Sequence, residues 1–245
     1  ADANLKDAAK KIAWGKLVNA GQTCIAPDYV LVDERVELEF LQLLRQETEN
    51  LYGKAVKESP DYCRIINSRN FDRIENLKKS ALENGAELIF GGDSDESELY
   101  IAPAVLRKIN SEMEIMQEEI FGPILPVVSF SNREAALEII STREKPLAMY
   151  IFGKKKKWLE FWLNNTSAGG TCVNDVLIHI SQPHLPFGGV NNSGIGKSHG
   201  QWGFISFSNE RSVLRQFNPF SVGKLVYPPY SKLKQKIINL TIKWF

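Results

Sequence analysis

Apolar residues recur at helical spacing over three stretches: Leu5, Ala8, Ala9 and Ile12, with Lys16 one turn further on; Val36, Phe40, Leu43, Leu44 and Leu51; and Phe71, Ile74, Leu77, Ala81 and Leu82. That period places each set on one face and predicts three amphipathic helices. Gly85 follows the third, where a residue tolerant of positive φ ends a helix at least cost. Short runs rich in β-branched and aromatic residues at 29–32, 87–90, 124–130, 147–152 and 171–173 read as strands. Asn132 caps a helix carrying Ala135, Leu137, Ile139 and Ile140, which stops before Pro146. Another helix follows the lysines at 154–157 and carries Leu159, Phe161, Trp162 and Leu163. Short strands alternating with longer helices predict an α/β fold, a mostly parallel sheet flanked by helices.

Residues 185–203 lose this periodicity and turn to glycine, serine and asparagine, as a long functional loop does. The stretch 204–215 alternates in places and reads as one further strand, after which Pro219 and Pro228-Pro229 exclude regular structure. The segment 232–245 is basic and amphipathic, with Leu233, Ile237, Leu240 and Trp244 on one helical face.

The 245 residues suit one large α/β core, or a core with an appendage. Thirty Lys and Arg against 29 Asp and Glu leave a net charge of +1, so no global basic field draws nucleic acid. The lysine run at 154–157 reads as a solvated turn. No apolar stretch approaches the ~20 residues that cross a bilayer. Cys24, Cys63 and Cys172 match neither a disulfide framework nor a metal-binding spacing, which points to reduced thiols in a cytoplasmic setting and to no metal. The chain opens at Ala1 directly into a helix, and a fragment of a longer protein is expected.

Chemistry concentrates in three loops. The run Gly21-Gln22-Thr23-Cys24-Ile25-Ala26-Pro27 sets a thiol between a helix and a strand. A thiolate is the reactive form, and a loop at a helix terminus favours it. The competing reading is a small core residue. In Gln117-Glu118-Glu119-Ile120-Phe121-Gly122-Pro123, a carboxylate could accept two hydrogen bonds from a sugar diol while the ring packs on a flat cofactor. A solvated acidic turn with a core phenylalanine is the alternative. Leu185 to Val190 and Asn192 to Gly196 form a glycine-dense loop that shapes a pocket by close backbone approach, without the strand-to-helix context of a dinucleotide fingerprint or the spacing of a Walker loop. His179, His184 and His199 lack metal-ligand spacing and read as structural or surface residues.

Several blocks in order carry a specific resemblance: Trp14-Gly15-Lys16, the stretch from Gly21 to Tyr29, Lys57 to Tyr62, Tyr100 to Pro103, Glu119 to Pro123, Asn174-Asp175-Val176, Pro186 to Gly189 and Ser193-Gly194. Over almost all of 1–217 the chain resembles the carboxyl-terminal half of an aldehyde dehydrogenase of the class 3, fatty-aldehyde branch. The resemblance implies a catalytic domain over 1–205, an oligomerisation strand over 206–218 and a tail over 219–245. It implies oxidation of medium- or long-chain aliphatic, or aromatic, aldehydes with NAD or NADP, and a homodimer. Cys24 would attack the aldehyde, its backbone amide holding the oxyanion of a thiohemiacetal. Hydride would pass to the nicotinamide, and water would hydrolyse the resulting thioester. Glu119 would hold the nicotinamide ribose and Phe121 would pack beside it. Gln22, Thr23, Ile25, Phe187, Gly188 and Gly189 would shape the substrate pocket.

In that family the general-base glutamate, the oxyanion asparagine and the NAD(P)-binding domain precede the cysteine, so this chain is expected to lack them and to be inactive alone. Asn191 stands where glycine is usual, and Phe204-Ile205-Ser206 replaces Phe-Asp-Thr. The segment 232–245 would gate the substrate entrance, touch a membrane peripherally or pack on its own domain. A cofactor-independent thioesterase and a non-catalytic dimerisation module are the rival functions.

Overall fold

The computed structural model describes residues 2–216 and 221–244. The chain runs α1 (Leu5–Leu17), β1 (Val30–Asp33), α2 (Glu37–Tyr52), α3 (Ser68–Glu83), β2 (Glu87–Phe90), β3 (Ser94–Asp95), β4 (Tyr100–Ile101), β5 (Ala104–Arg107), β6 (Ile124–Phe130), α4 (Arg133–Ser141), β7 (Ala148–Ile151), α5 (Lys156–Asn165), β8 (Gly170–Val173), α6 (Gly200–Ser206) and α7 (Lys232–Trp244). Ala1–Phe207 forms one compact unit and Ser208–Phe245 another.

The main sheet has the order β1-β6-β5-β2. The pairs β1–β6 and β5–β6 are parallel, while β2 closes the edge antiparallel to β5. Successive residues of the central strands face opposite layers. Ala104, Leu106 and Ile124 pack with Phe71, Ile74 and Leu77 of α3, whereas Val105, Leu125 and Val127 pack with Ile12 of α1 and Phe40 and Leu44 of α2. Burial on both faces is why 124–130 is a nearly continuous apolar run. Parallel strands β7 and β8 form a second sheet, and α4 and α5 add Ala136 and Trp162 to a smaller cluster with Phe130 and Ile151.

The punctuation behaves as its chemistry predicts. Asn132 Oδ1 accepts the Ala135 N–H at 2.9 Å and starts α4. Past α3, Gly85 adopts φ +97°, with Gly85 N–H donating to Leu82 and Ala86 N–H to Ala81, the paired bonds of a glycine-ended helix. The lysines at 154–157 are exposed, and the Asp2 carboxylate accepts the backbone N–H groups of Lys154 and Lys155.

Two features differ from expectation. The strand expected over 204–215 is not formed: α6 occupies Gly200–Ser206, and 208–216 has no regular structure. A strand satisfies its backbone only on another strand's edge, and among the described residues no sheet strand of this chain pairs there. Residues 217 and 218 of the expected oligomerisation strand lie outside the described residues. The other difference is β5 and the short antiparallel pair β3–β4, which carry no sequence signature of their own. No helix among the described residues is long and apolar enough to cross a membrane.

Candidate active site

The thiol loop begins in an unusual backbone. After α1, Asn19 and Ala20 take φ +53° and Gly21 takes φ +79°, three consecutive residues in the left-handed region. Only glycine adopts that region freely, so the buried Ala20 is held there by its surroundings. Asn19 Nδ2 donates to the Gln22 carbonyl at 3.0 Å, and Gln22 Nε2 donates back to the Asn19 carbonyl at 2.9 Å. The chain then turns, with Ala26 N–H donating to the Thr23 carbonyl at 2.9 Å. Cys24 sits on this turn with its side chain exposed. Among the described residues its N–H donates to no acceptor, which leaves a hydrogen-bond donor free beside the thiol.

The pocket residues expected around Cys24 divide by role. Ile25 is buried in the core with Val127 and Val176, so it anchors the loop from behind instead of lining a pocket. The Gln22 side chain also binds residues 64–66: Nε2 donates to the Arg64 carbonyl at 3.0 Å and Oε1 accepts the Ile66 N–H at 2.9 Å. Its amide is therefore committed to the fold. Thr23 and Cys24 keep the accessible edge.

Both ends of the thiol loop grip the segment carrying Glu119 and Phe121. Gly21 lies so close to Gly122 that a Cβ at Gly21 would overlap the Gly122 carbonyl. Asp28 Oδ1 accepts the Ile120 N–H at 3.1 Å. From α3, Arg73 donates to the Glu119 carbonyl at 3.1 Å and the Ile120 carbonyl at 2.6 Å. Held this way, Phe121 takes φ +47° and is 38% exposed as a residue. The Glu119 side chain is exposed, and among the described residues its carboxylate accepts no protein hydrogen bond. An open carboxylate beside an open ring fits a ribose diol with an adjacent flat heterocycle.

Three charged residues behind this segment are functional candidates that motif reading alone left without a role: Lys16, Asp28 and Arg73. Lys16 is 2% exposed at the end of α1. Burial pushes its ammonium down to about 8, against the opposing pull of Asp28 and Glu119. Burial raises the Asp28 carboxyl, countered by Lys16, and also raises that of Glu119, with the Asp28 charge adding to the effect. The signal was present in the sequence as a lysine on the apolar stripe of α1.

Residues 197–199 brace the Phe187 to Gly189 loop. Phe187 and Ser198 exchange backbone hydrogen bonds. Lys197 Nζ donates to the carbonyls of Gly169, Gly188 and Gly189 at 3.2, 2.5 and 3.0 Å. The Phe187 ring stacks on His199 at 5.3 Å and tilts against His179 at 6.0 Å. Asn191 takes φ +55°, the left-handed conformation that asparagine shares with glycine. His179 is buried with both ring nitrogens unpartnered among the described residues, and burial lowers its pKa. Phe187 belongs to the same apolar cluster as Ile25, Leu177 and Tyr150, which ties this loop to the back of the thiol loop.

Known proteins resemble this chain over most of its length. The family described as "Aldehyde dehydrogenase family" matches residues 1–213. "Aldehyde dehydrogenase family 3 member A2" of Mus musculus is 44% identical over 234 residues, 95% of this chain and 47% of that protein. "Aldehyde dehydrogenase, dimeric NADP-preferring" of Mus musculus is 43% identical over 229 residues, 93% of this chain and 49% of that protein. The solved structure "Substrate bound state of Staphylococcus Aureus AldH" superposes with a TM-score of 0.85 at 40% identity, covering 98% of this chain and 52% of that one. The chain thus spans about half the length of the relatives it matches.

Proposed function

Since this chain belongs to the aldehyde dehydrogenase family, we propose that the protein containing it oxidises aldehydes to carboxylic acids with NAD or NADP, using Cys24 as nucleophile. The observation that carries this reading is the exposed Cys24 on a turn whose flanking residues, Gly21 and Asp28, both clasp the Glu119 to Gly122 segment. That clasp supports the reading, because it holds the thiol in a fixed position relative to the edge that would take the nucleotide, as hydride transfer demands.

The Cys24 sulfur attacks the aldehyde carbon, and the free Cys24 N–H stabilises the oxyanion of the thiohemiacetal. Glu119 accepts the ribose hydroxyls and Phe121 packs against the nicotinamide end. The nicotinamide, when bound, supplies the hydride acceptor. Cys24 then carries the acyl group as a thioester until water cleaves the carbon–sulfur bond and returns the thiol. Phe187, Gly188 and Gly189, braced by Lys197, shape the wall of the aldehyde site together with Thr23. Medium- or long-chain aliphatic or aromatic aldehydes are the expected substrates, and a homodimer is the expected assembly, as the name of the dimeric mouse relative suggests. Cys24→Ala in the intact protein should abolish aldehyde oxidation, while replacing Cys63 or Cys172 should not. Substantial turnover in the Cys24 variant would overturn the assignment.

A further inference from the structure

Tyr150, on β7, reaches across the molecule to the thiol loop: its hydroxyl donates to the Ile25 carbonyl at 2.6 Å, between residues 125 positions apart in the chain. The segment that follows β8 packs nearby, with Leu177 and Tyr150 in one apolar cluster. Leu177 is itself unusual, a buried non-glycine residue with φ +62° and ψ −41°. It is the centre of a γ-turn closed by Ile178 N–H donating to the Val176 carbonyl at 2.6 Å, a strained conformation for a leucine. Packing enforces it. Val176 and Leu177 press on α1 at Gly15, where an added Cβ would stand 2.5 Å from Val176 and 3.0 Å from Leu177. His179 seats its ring edge-on to Tyr150 at 6.0 Å, so the phenol is fixed on that side as well.

We propose that Tyr150 is a positioning residue for the Cys24 backbone, its hydroxyl fixing the Ile25 carbonyl so that the 23–26 turn presents the Cys24 N–H to the aldehyde oxygen beside the exposed sulfur. The inference rests on the reading of Cys24 as nucleophile. The Ile25 carbonyl enters a buried part of the core, where an acceptor without a donor is costly. Without the hydroxyl the turn rotates to find another donor, and the Cys24 N–H leaves the position of the oxyanion. The defect belongs to carbonyl addition and not to nucleotide or aldehyde affinity.

The test is Tyr150→Phe in the intact protein, with Cys24→Ala alongside. The expected result is a kcat for aldehyde oxidation lowered about tenfold to a hundredfold, as misplacement of reacting groups produces. The KM values for aldehyde and nucleotide stay within about twofold. Alkylation of Cys24 by iodoacetamide, followed in a Cys63→Ser, Cys172→Ser background, needs the sulfur but no oxyanion donor and should change less than about threefold. Incorporating 3-fluorotyrosine at 150, which keeps ring and donor, should restore turnover and separate the hydroxyl's role from a folding defect. A Tyr150→Phe enzyme with unchanged kcat, or with its loss carried by KM, overturns the inference while an inactive Cys24→Ala leaves the functional assignment standing. An active Cys24→Ala would instead remove the assignment itself.

Discussion

Gly21 and Gly122 meet backbone to backbone, with no room for a side-chain carbon between them. Gly21 also carries φ +79°, so an alanine there meets both a steric and a conformational barrier. Gly21→Ala is expected to cost about 2–4 kcal/mol of stability from strain and overpacking together. It should also raise the nucleotide KM several-fold, roughly, because the Glu119 to Gly122 segment must move to make room. Chemical denaturation and steady-state kinetics read both effects, and a variant of wild-type stability would show that the contact is not rigid.

Gln22 supplies a different kind of lock. Its carboxamide donates to two carbonyls and accepts one N–H, a set of partners that only an amide satisfies. Gln22→Glu sets a carboxylate oxygen against the Asn19 and Arg64 carbonyls. The expected loss is about 1–2 kcal/mol, as for a half-buried hydrogen-bond partner replaced by a repulsive one. Aldehyde KM should hold, since the side chain faces the protein. A large rise in KM with intact stability would return Gln22 to the substrate wall.

Lys16 makes the protein's stability depend on pH on the alkaline side. Its ammonium is pushed down to about 8 in the fold, by burial first, while an unfolded lysine titrates near its ordinary value of about 10.5. Between those values the unfolded chain binds more protons than the native one, so stability from this group rises with pH. The difference in unfolding free energy between wild type and Lys16→Met should therefore grow in favour of wild type across that window, by about 3 kcal/mol at most. A flat difference from pH 8 to pH 10 would mean that the lysine is hydrated in the native state.

Local rules made most of the framework legible. Asn132 and Gly85 marked helix ends because their capping chemistry works within a few residues. The strand over 124–130 was legible because burial on both faces makes it apolar at all but Ser129. Strand β5 escaped notice because four residues between Pro103 and Lys108 carry too little periodicity. The stretch 204–215 misled because its alternation says what a strand would look like but not whether an edge exists to pair with. The site divides along the same line. Cys24, Glu119 and Phe121 stood out by type and motif, and Lys16 by its place on an apolar stripe, whereas Arg73 and Tyr150 make contacts between segments far apart in the chain, which no local pattern encodes. Ile25 and Gln22 lay beside the thiol in sequence, yet backbone direction turned both side chains into the fold.

Helix α7 leaves most of its apolar side open. Leu233, Leu240 and Trp244 are between 63% and 82% exposed, Ile237 between them is half-buried, and the helix fully buries no residue. Lys232, Lys234, Lys236 and Lys243 add four positive charges to the same 13-residue helix. An apolar surface bearing a tryptophan, with lysines close by, suits the headgroup region of an anionic bilayer, where each lysine adds about 1 kcal/mol of attraction. Shape and charge make separable contributions, because salt screens the charges and leaves the apolar part intact. Vesicles containing phosphatidylserine should therefore co-float with the intact protein at low salt and less so at high salt. Deleting 232–245 should remove the binding, and Trp244→Ala with Leu240→Ala should weaken it at both salt concentrations. Equal flotation with and without the segment would show that α7 serves the protein itself.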